Sequence, residues 1–66
     1  MNKSTYILKI GEVVKKTGLS KSQVHRMIAA ESFPMPIKIG FRASGWIESE
    51  VEDWISERII LSRKVA

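Results

Sequence analysis

The chain has 66 residues and a formal net charge of +4, with no cysteine and a single histidine, His25. A chain of this length predicts one small domain, residues 1–66, which buries too little surface to form a deep catalytic cleft. The composition excludes disulfides, a cysteine-based zinc site and a histidine metal cluster, so we expect no metal and no cofactor.

The positive charge is concentrated in the first part of the chain. Residues 1–47 contain eight lysines and arginines against two glutamates, a local charge of +6, whereas residues 48–66 have a local charge of −2. A basic surface attracts polyanions by releasing their counterions, and nucleic acid is the commonest such partner. The basic part lacks the amphipathic helix with a large apolar face that a membrane partner requires. Without a long apolar run or a signal-peptide pattern, the sequence predicts a cytoplasmic protein.

The first residues of the chain give only weak indications of secondary structure. Residues 1–5 are typical of a loose polar start, and residues 6–9 of a short extended segment. Ile10, Val13 and Val14 then have the i, i+3, i+4 spacing of a two-turn helix, although no strong N-cap precedes it.

A turn and a second helix follow. Gly18 suits the left-handed residue that ends a helix, Ser20 is a good N-cap, and Gln23 three residues later completes a capping box. Leu19 and Val24 have the spacing of a hydrophobic staple, which fixes the angle at which the chain enters the helix. Together these signals predict a helix-turn-helix.

The second helix has an apolar stripe and a small, polar, basic face. At 100° per residue, the stripe contains Val24, Met27 and Ile28. The opposite face and its flank contain Lys21, Ser22, His25, Arg26 and Ala29. A helix face without large apolar side chains fits a major groove about 12 Å wide. Serine, histidine and arginine can form hydrogen bonds there with base edges or phosphates. The alternative is an ordinary solvated face of an amphipathic helix.

Two prolines end this helix near Glu31. Pro34 and Pro36 each remove a backbone donor and bias the preceding residue toward an extended conformation. Phe33 and Met35, which each precede one of these prolines, are expected to fill the core, as such side chains usually do.

A hairpin is predicted next, with strands at residues 37–39 and 45–47 around a loop of about five residues. An isolated two-stranded ribbon is marginal, so Ile37 and Ile39 should pack it on the helices. Lys38 would then point outward and Arg42 would lie near the tip. A basic hairpin beside a helix-turn-helix is a wing, whereas the alternative makes Arg42 an ordinary loop cation.

The last predicted element is a helix capped by Ser49, with Glu52 completing a capping box. The face predicted to close the core carries Val51, Trp54, Ile55 and Arg58. Its carboxylates are explained by capping and solubility, since no nucleophile or metal partner accompanies them. We therefore expect no enzymatic activity and no small-molecule substrate. A final apolar run either returns to the core or contacts a second protein chain: Ile59, Ile60 and Leu61.

Two stretches together resemble the AlpA family of prophage regulatory proteins, small winged-helix relatives of the MerR-type DNA-binding domain and of phage excisionases. The first is TGLSKSQVHRMI at residues 17–28, in which His25 stands where the family usually has tyrosine or a similar residue. The second joins FPMPIKIG at residues 33–40 to GWIESEV at residues 45–51. The resemblance, over residues 6–58, implies a mostly α winged helix-turn-helix: a helix-turn-helix, a two-stranded wing and a C-terminal helix.

The resemblance also implies sequence-specific binding to double-stranded DNA. Family members activate integrase genes or act as recombination directionality factors, that is, excisionases. The residues carried over to the major groove are Ser20, Lys21, Ser22, Gln23, His25 and Arg26. Those carried over to the adjacent minor groove or backbone are Lys38 and Arg42. The alternative is a small adaptor that docks an integrase, a polymerase or a regulator through Ile59, Ile60 and Leu61 or through the acidic last helix. A second copy of the chain could also dock through Ile59, Ile60 and Leu61.

Overall fold

The computed structural model describes residues 6–65 and contains the predicted helices and hairpin in the predicted order. The elements are β1 (Ile7–Leu8), α1 (Ile10–Thr17), α2 (Lys21–Ala29), β2 (Ile37–Gly40), β3 (Ala43–Ile47) and α3 (Glu48–Val65). Helices α1 and α2 form the helix-turn-helix, and the β2–β3 hairpin, which we call the wing, precedes the long α3. The fold is therefore a winged helix-turn-helix. The predicted loose start at residues 1–5 lies outside the described residues.

Strand β1 extends the wing into a three-stranded antiparallel sheet with the order β1-β3-β2. Ile7 pairs with Ile47 and Leu8 with Trp46, so β1 lies along the part of β3 nearest the helices. The wing turn contains only two residues, 41 and 42, and the predicted five-residue loop is wrong. The difference arises because residues 40, 43 and 44 continue the strand pairing, with an irregularity between Lys38 and Gly40.

The core takes one buried hydrophobic side chain from every element except β2, and one more from the loop between α2 and β2. These residues are Leu8, Val13, Val24, Phe33, Trp46 and Val51. Around them pack partly buried side chains from the two ends and the turn of the helix-turn-helix and from α3: Ile10, Leu19, Met27, Ile28, Trp54 and Ile55. The predicted apolar stripe of α2 is thereby confirmed.

The sheet packs on the helices through the face opposite to the predicted one. Ile37 pairs with Gly45 and therefore shares its face, whereas the buried Trp46 lies on the other face. Ile37 and Ile39 are exposed, and the prediction that they pack on the helices is wrong. The prediction for Met35 is also wrong, since its side chain is 56% exposed.

Helix α3 begins directly after β3. The N–H of Glu48 donates to the carbonyl of Tyr6 (2.9 Å), so the backbone before β1 satisfies the first amide of the helix. Ser49 therefore lies inside the first turn, and its prediction as the N-cap is wrong. Further along, the guanidinium of Arg58 lies 4.8 Å from the ring centroid of Trp54, on the face predicted for it.

Two tryptophans hold the loop between α2 and β2. The Nε1–H of Trp46, on β3, donates to the carbonyl of Pro34 (3.0 Å), and that of Trp54, on α3, donates to the carbonyl of Ser32 (2.9 Å). Between these bonds, the Phe33 ring meets Trp54 edge-on with centroids 4.8 Å apart. We call this arrangement the tryptophan clamp. It fixes the wing and α3 to the end of the helix-turn-helix.

The second residue after α2 has a conformation that favours glycine. Glu31 has φ 59°, its N–H donates to the carbonyl of Ile28 (2.9 Å), and the N–H of Ser32 donates to that of Met27 (2.8 Å). These two bonds form a Schellman motif, whose left-handed position is usually glycine.

We expect Glu31→Gly to raise the free energy of unfolding by roughly 0.5–1 kcal/mol. A non-glycine residue in this region costs about 1–2 kcal/mol, of which the flexibility of glycine in the unfolded chain offsets part. Urea unfolding followed by circular dichroism would measure the change. Glu31→Gln, which removes only the charge, should have a smaller effect. Gly18→Ala, at a φ of 78° after α1, should be destabilising. A lower midpoint for Glu31→Gly would contradict the expectation.

Candidate nucleic-acid interface

The turn between α1 and α2 is closed by backbone and side-chain hydrogen bonds. Gly18 is left-handed, with φ 78°, and its N–H donates to the carbonyl of Val14 (2.8 Å). The Thr17 hydroxyl donates to the carbonyl of Val13 (2.8 Å) and accepts from the N–H of Leu19 (3.2 Å). These bonds set the angle between the two helices. Gly18 adopts its left-handed φ without steric cost, because glycine has no Cβ.

Ser20 and Gln23 form the predicted capping box. The N–H of Gln23 donates to Ser20 Oγ (3.1 Å), and the N–H of Ser20 donates to Gln23 Oε1 (2.9 Å). The amide oxygen of Gln23 therefore accepts one hydrogen bond within the cap, while no partner in the described chain accepts from its NH₂ group. The bidentate contact by which glutamine reads adenine uses both the oxygen and the NH₂ group, so it would compete with the cap for the oxygen.

The outer face of α2 is fully open. Val24 is completely buried on the inner side, whereas the five residues on the outer face and flank are exposed: Lys21, Ser22, His25, Arg26 and Ala29. In the part of the chain that the structure describes, no carboxylate pairs with Lys21 or Arg26. Both cations are therefore available to an external anion.

The two remaining predicted contact residues lie on a separate element, the wing. Lys38 pairs with Ser44, two residues before Trp46, so its side chain lies on the helix-facing side of the sheet but beyond the core. Arg42 occupies the second position of the wing turn, as its predicted place near the tip requires. Both side chains are exposed.

Lys16 is exposed but already paired with carboxylates of the same chain. Its Nζ lies 2.9 Å from Glu52 Oε2 and 3.9 Å from Glu48 Oε2, which joins α1 to α3. The hydrogen bond to Glu52 raises the pKa of Lys16 above its ordinary value, against a smaller opposing effect of desolvation. Lys16 therefore stays charged throughout the neutral range, and its charge is already compensated inside the molecule.

Sequence reasoning missed one exposed residue, Phe41. It occupies the first position of the wing turn and is 87% exposed, and the guanidinium of Arg42 lies 5.4 Å from its ring centroid. The signal was present in the sequence, because an aromatic residue stands where hairpin turns usually have glycine, asparagine or aspartate. Because the loop was predicted to be about five residues long, only Arg42 was placed near its tip. In the two-residue turn, Phe41 shares the tip with it.

One concave surface carries acidic residues and lies between the tryptophan clamp and α3. It encloses about 480 Å³ and is lined by, among others, Glu31, Glu50, Asp53 and Glu57. Among the described residues, no group of three histidine, cysteine or acidic side chains is placed to hold a metal ion. None of the described helices is both long and apolar enough to cross a bilayer.

Comparison with known proteins gives consistent matches. The family model described as Prophage CP4-57 regulatory protein (AlpA) matches residues 6–59. The DNA-binding transcriptional activator AlpA of Escherichia coli K12 is 31% identical over 58 residues, covering 79% of this chain and 83% of that protein. The uncharacterized protein ORF88 of Enterobacteria phage P4 is 35% identical over 52 residues, and the chain spans only 59% of its length. No solved structure matches the chain.

Proposed function

The chain belongs to the AlpA family of prophage regulatory proteins, and we propose from this membership that it binds double-stranded DNA sequence-specifically. Its output would be transcription of prophage or integrase genes, or excision as a recombination directionality factor. The observation that supports the proposal is the exposed face of α2, which bears cations. This helix follows α1 through a turn that ends in a capping box. A protein with this role would be cytoplasmic and associated with the nucleoid.

In the proposed complex, α2 lies in the major groove. Arg26 and Ser22 reach base edges, since guanidinium and hydroxyl groups can bond there, and His25 faces the same groove. Ser20 and Gln23 hold the helix start through their mutual hydrogen bonds and approach the backbone. Lys21 binds phosphate and fixes the position of the helix along the duplex.

The wing supplies the second contact. Lys38 and Arg42 bind phosphates or the edge of the adjacent minor groove, where a positive charge releases counterions whatever the base sequence. Because both residues lie on a two-stranded ribbon rather than on α2, the protein would contact the duplex at two separate positions.

Arg26→Ala is expected to weaken binding to the preferred site by about 2 kcal/mol and to relax the preference at one base pair, as the loss of one bidentate base contact would. Fluorescence anisotropy on the preferred site and its single-base variants would measure both effects. Arg63→Ala removes the same charge from the exposed end of α3 and serves as the matched control. An equal loss on preferred and random DNA would contradict base reading by Arg26.

Lys38→Ala is expected to weaken binding to all sequences alike. A phosphate contact carries no sequence information, and its loss lowers the slope of log K against log salt by about one. Titrations at several salt concentrations would give the slope, with Lys64→Ala, at the end of α3, as the control. An unchanged slope combined with altered base preference would assign Lys38 a different role.

A second candidate function rests on the exposed end of α3. Ile59, Ile60 and Leu61 are exposed there, so this segment could dock an integrase, a polymerase subunit, a regulator or a second copy of the chain. A gel-shift titration against genomic fragments at two salt concentrations separates the two functions. Salt-sensitive binding supports the DNA-binding role, and its absence at micromolar protein favours the adaptor. Footprinting would then show whether sites cluster at an attachment site or at an integrase promoter.

A further inference from the structure

The wing tip exposes an aromatic ring that folding does not explain. Phe41 is 87% exposed, and it is absent from the core cluster and from the side chains packed against it. Its ring therefore gains almost none of the stabilisation that burial of a phenylalanine normally provides. The two-residue turn does not require it either, since turns of this length favour glycine, asparagine or aspartate.

The same tip carries a cation next to the ring. The Arg42 guanidinium lies 5.4 Å from the Phe41 centroid, within the range of a cation–π contact. An apolar ring beside a positive charge suits a partner that offers a narrow apolar slot bordered by anions. The minor groove of DNA has this composition, because stacked bases and sugars lie between two rows of phosphates.

We propose that Phe41 is a wedge that enters the minor groove and partly separates two stacked base pairs, while Arg42 holds a neighbouring phosphate. The inference rests on the proposed DNA-binding function and adds a contact that bends the duplex. Apolar side chains inserted in this way kink DNA toward the major groove, most easily at flexible pyrimidine–purine steps.

The test compares Phe41→Ala with Phe41→Trp on a short duplex taken from a footprinted genomic fragment. 2-Aminopurine placed at successive positions reports unstacking, and energy transfer between end labels reports the bend. Wild type and Phe41→Trp should raise 2-aminopurine emission at one step and shorten the end-to-end distance. Phe41→Ala should lose both signals and bind roughly tenfold more weakly, as the loss of one base–aromatic contact would.

Two controls show whether the ring at the wing tip itself causes the two signals. Tyr6→Ala removes another exposed aromatic, 70% exposed and outside the wing, and should leave both signals unchanged. Thermal unfolding of Phe41→Ala should match wild type, because the ring does not contribute to the core.

The result that would contradict the wedge differs from the result that would contradict the DNA-binding function. If Phe41→Ala bends and unstacks the duplex as wild type does, the wedge is wrong while DNA binding stands. If wild type shows no salt-sensitive binding, both proposals are overturned.

Discussion

Trp46→Ala is expected to lower the free energy of unfolding by about 3–5 kcal/mol, the usual cost of removing a large buried aromatic side chain. Trp46 is 3% exposed and pairs with Leu8 in the sheet. Its loss would leave a cavity and free the Pro34 carbonyl from the Nε1–H bond. Small domains have little more stability than this, so we expect a largely unfolded protein by circular dichroism and urea titration.

Two further variants locate the cause of this loss. Trp46→Phe keeps most of the ring and removes the hydrogen bond, so it should cost about 1–2 kcal/mol. Met35→Ala removes an exposed apolar side chain and should change stability by no more than about 0.5 kcal/mol. A wild-type midpoint for Trp46→Ala would show that the indole is not the main packing element of the sheet.

Gly45→Ala is expected to lower the free energy of unfolding by about 3 kcal/mol, at the upper end of overpacking costs. The added Cβ would overlap Ile7 Cγ2 and lie 3.1 Å from the carbonyl oxygen of Leu8. A side chain can rotate away, but the Leu8 oxygen moves only if β1 moves. The variant should therefore weaken the β1–β3 pairing, which amide hydrogen exchange would detect as faster exchange in β1.

A double-mutant cycle tests this steric origin. Ile7→Ala removes the overlapping methyl group, so the cost of Gly45→Ala should be smaller by about 1–2 kcal/mol in that background. Gly11→Ala serves as the control, because its Cβ meets nothing within 4 Å and alanine favours the helix. It should raise stability by roughly 0.5–1 kcal/mol. Additive effects of the Ile7 and Gly45 substitutions would contradict a steric clash between the two side chains.

The helix-turn-helix could be predicted almost completely because its signals are local. The capping box joins residues three apart, and the buried stripe of α2 follows from periodicity alone. Exposure of the outer α2 face followed from the same pattern. What each exposed residue contacts depends on a duplex outside the chain, so the assignment of Arg26 and Lys38 remains a prediction.

The sheet was harder to predict because both of its faces carry apolar residues. Ile37 and Ile39 alternate as a buried face would, yet Leu8 and Trp46 fill the core from the other face. The extended segment predicted at residues 6–9 contains β1, but two residues are too few to predict that it pairs with β3. The start of α3 was misplaced for a related reason, since the carbonyl of Tyr6, remote in sequence, satisfies its first amide.

The tryptophan clamp limits how this hairpin can be exchanged between proteins. A chimera that receives residues 37–47 alone would import Trp46 without the Pro34 carbonyl, leaving a buried N–H without an acceptor at a cost of about 1–3 kcal/mol. The host would also need a hydrogen-bond donor in place of the Trp54 Nε1–H, which holds the carbonyl of Ser32 in the loop before the hairpin. The smallest transplantable module is therefore residues 32–54, which contains the loop, the hairpin and both indoles.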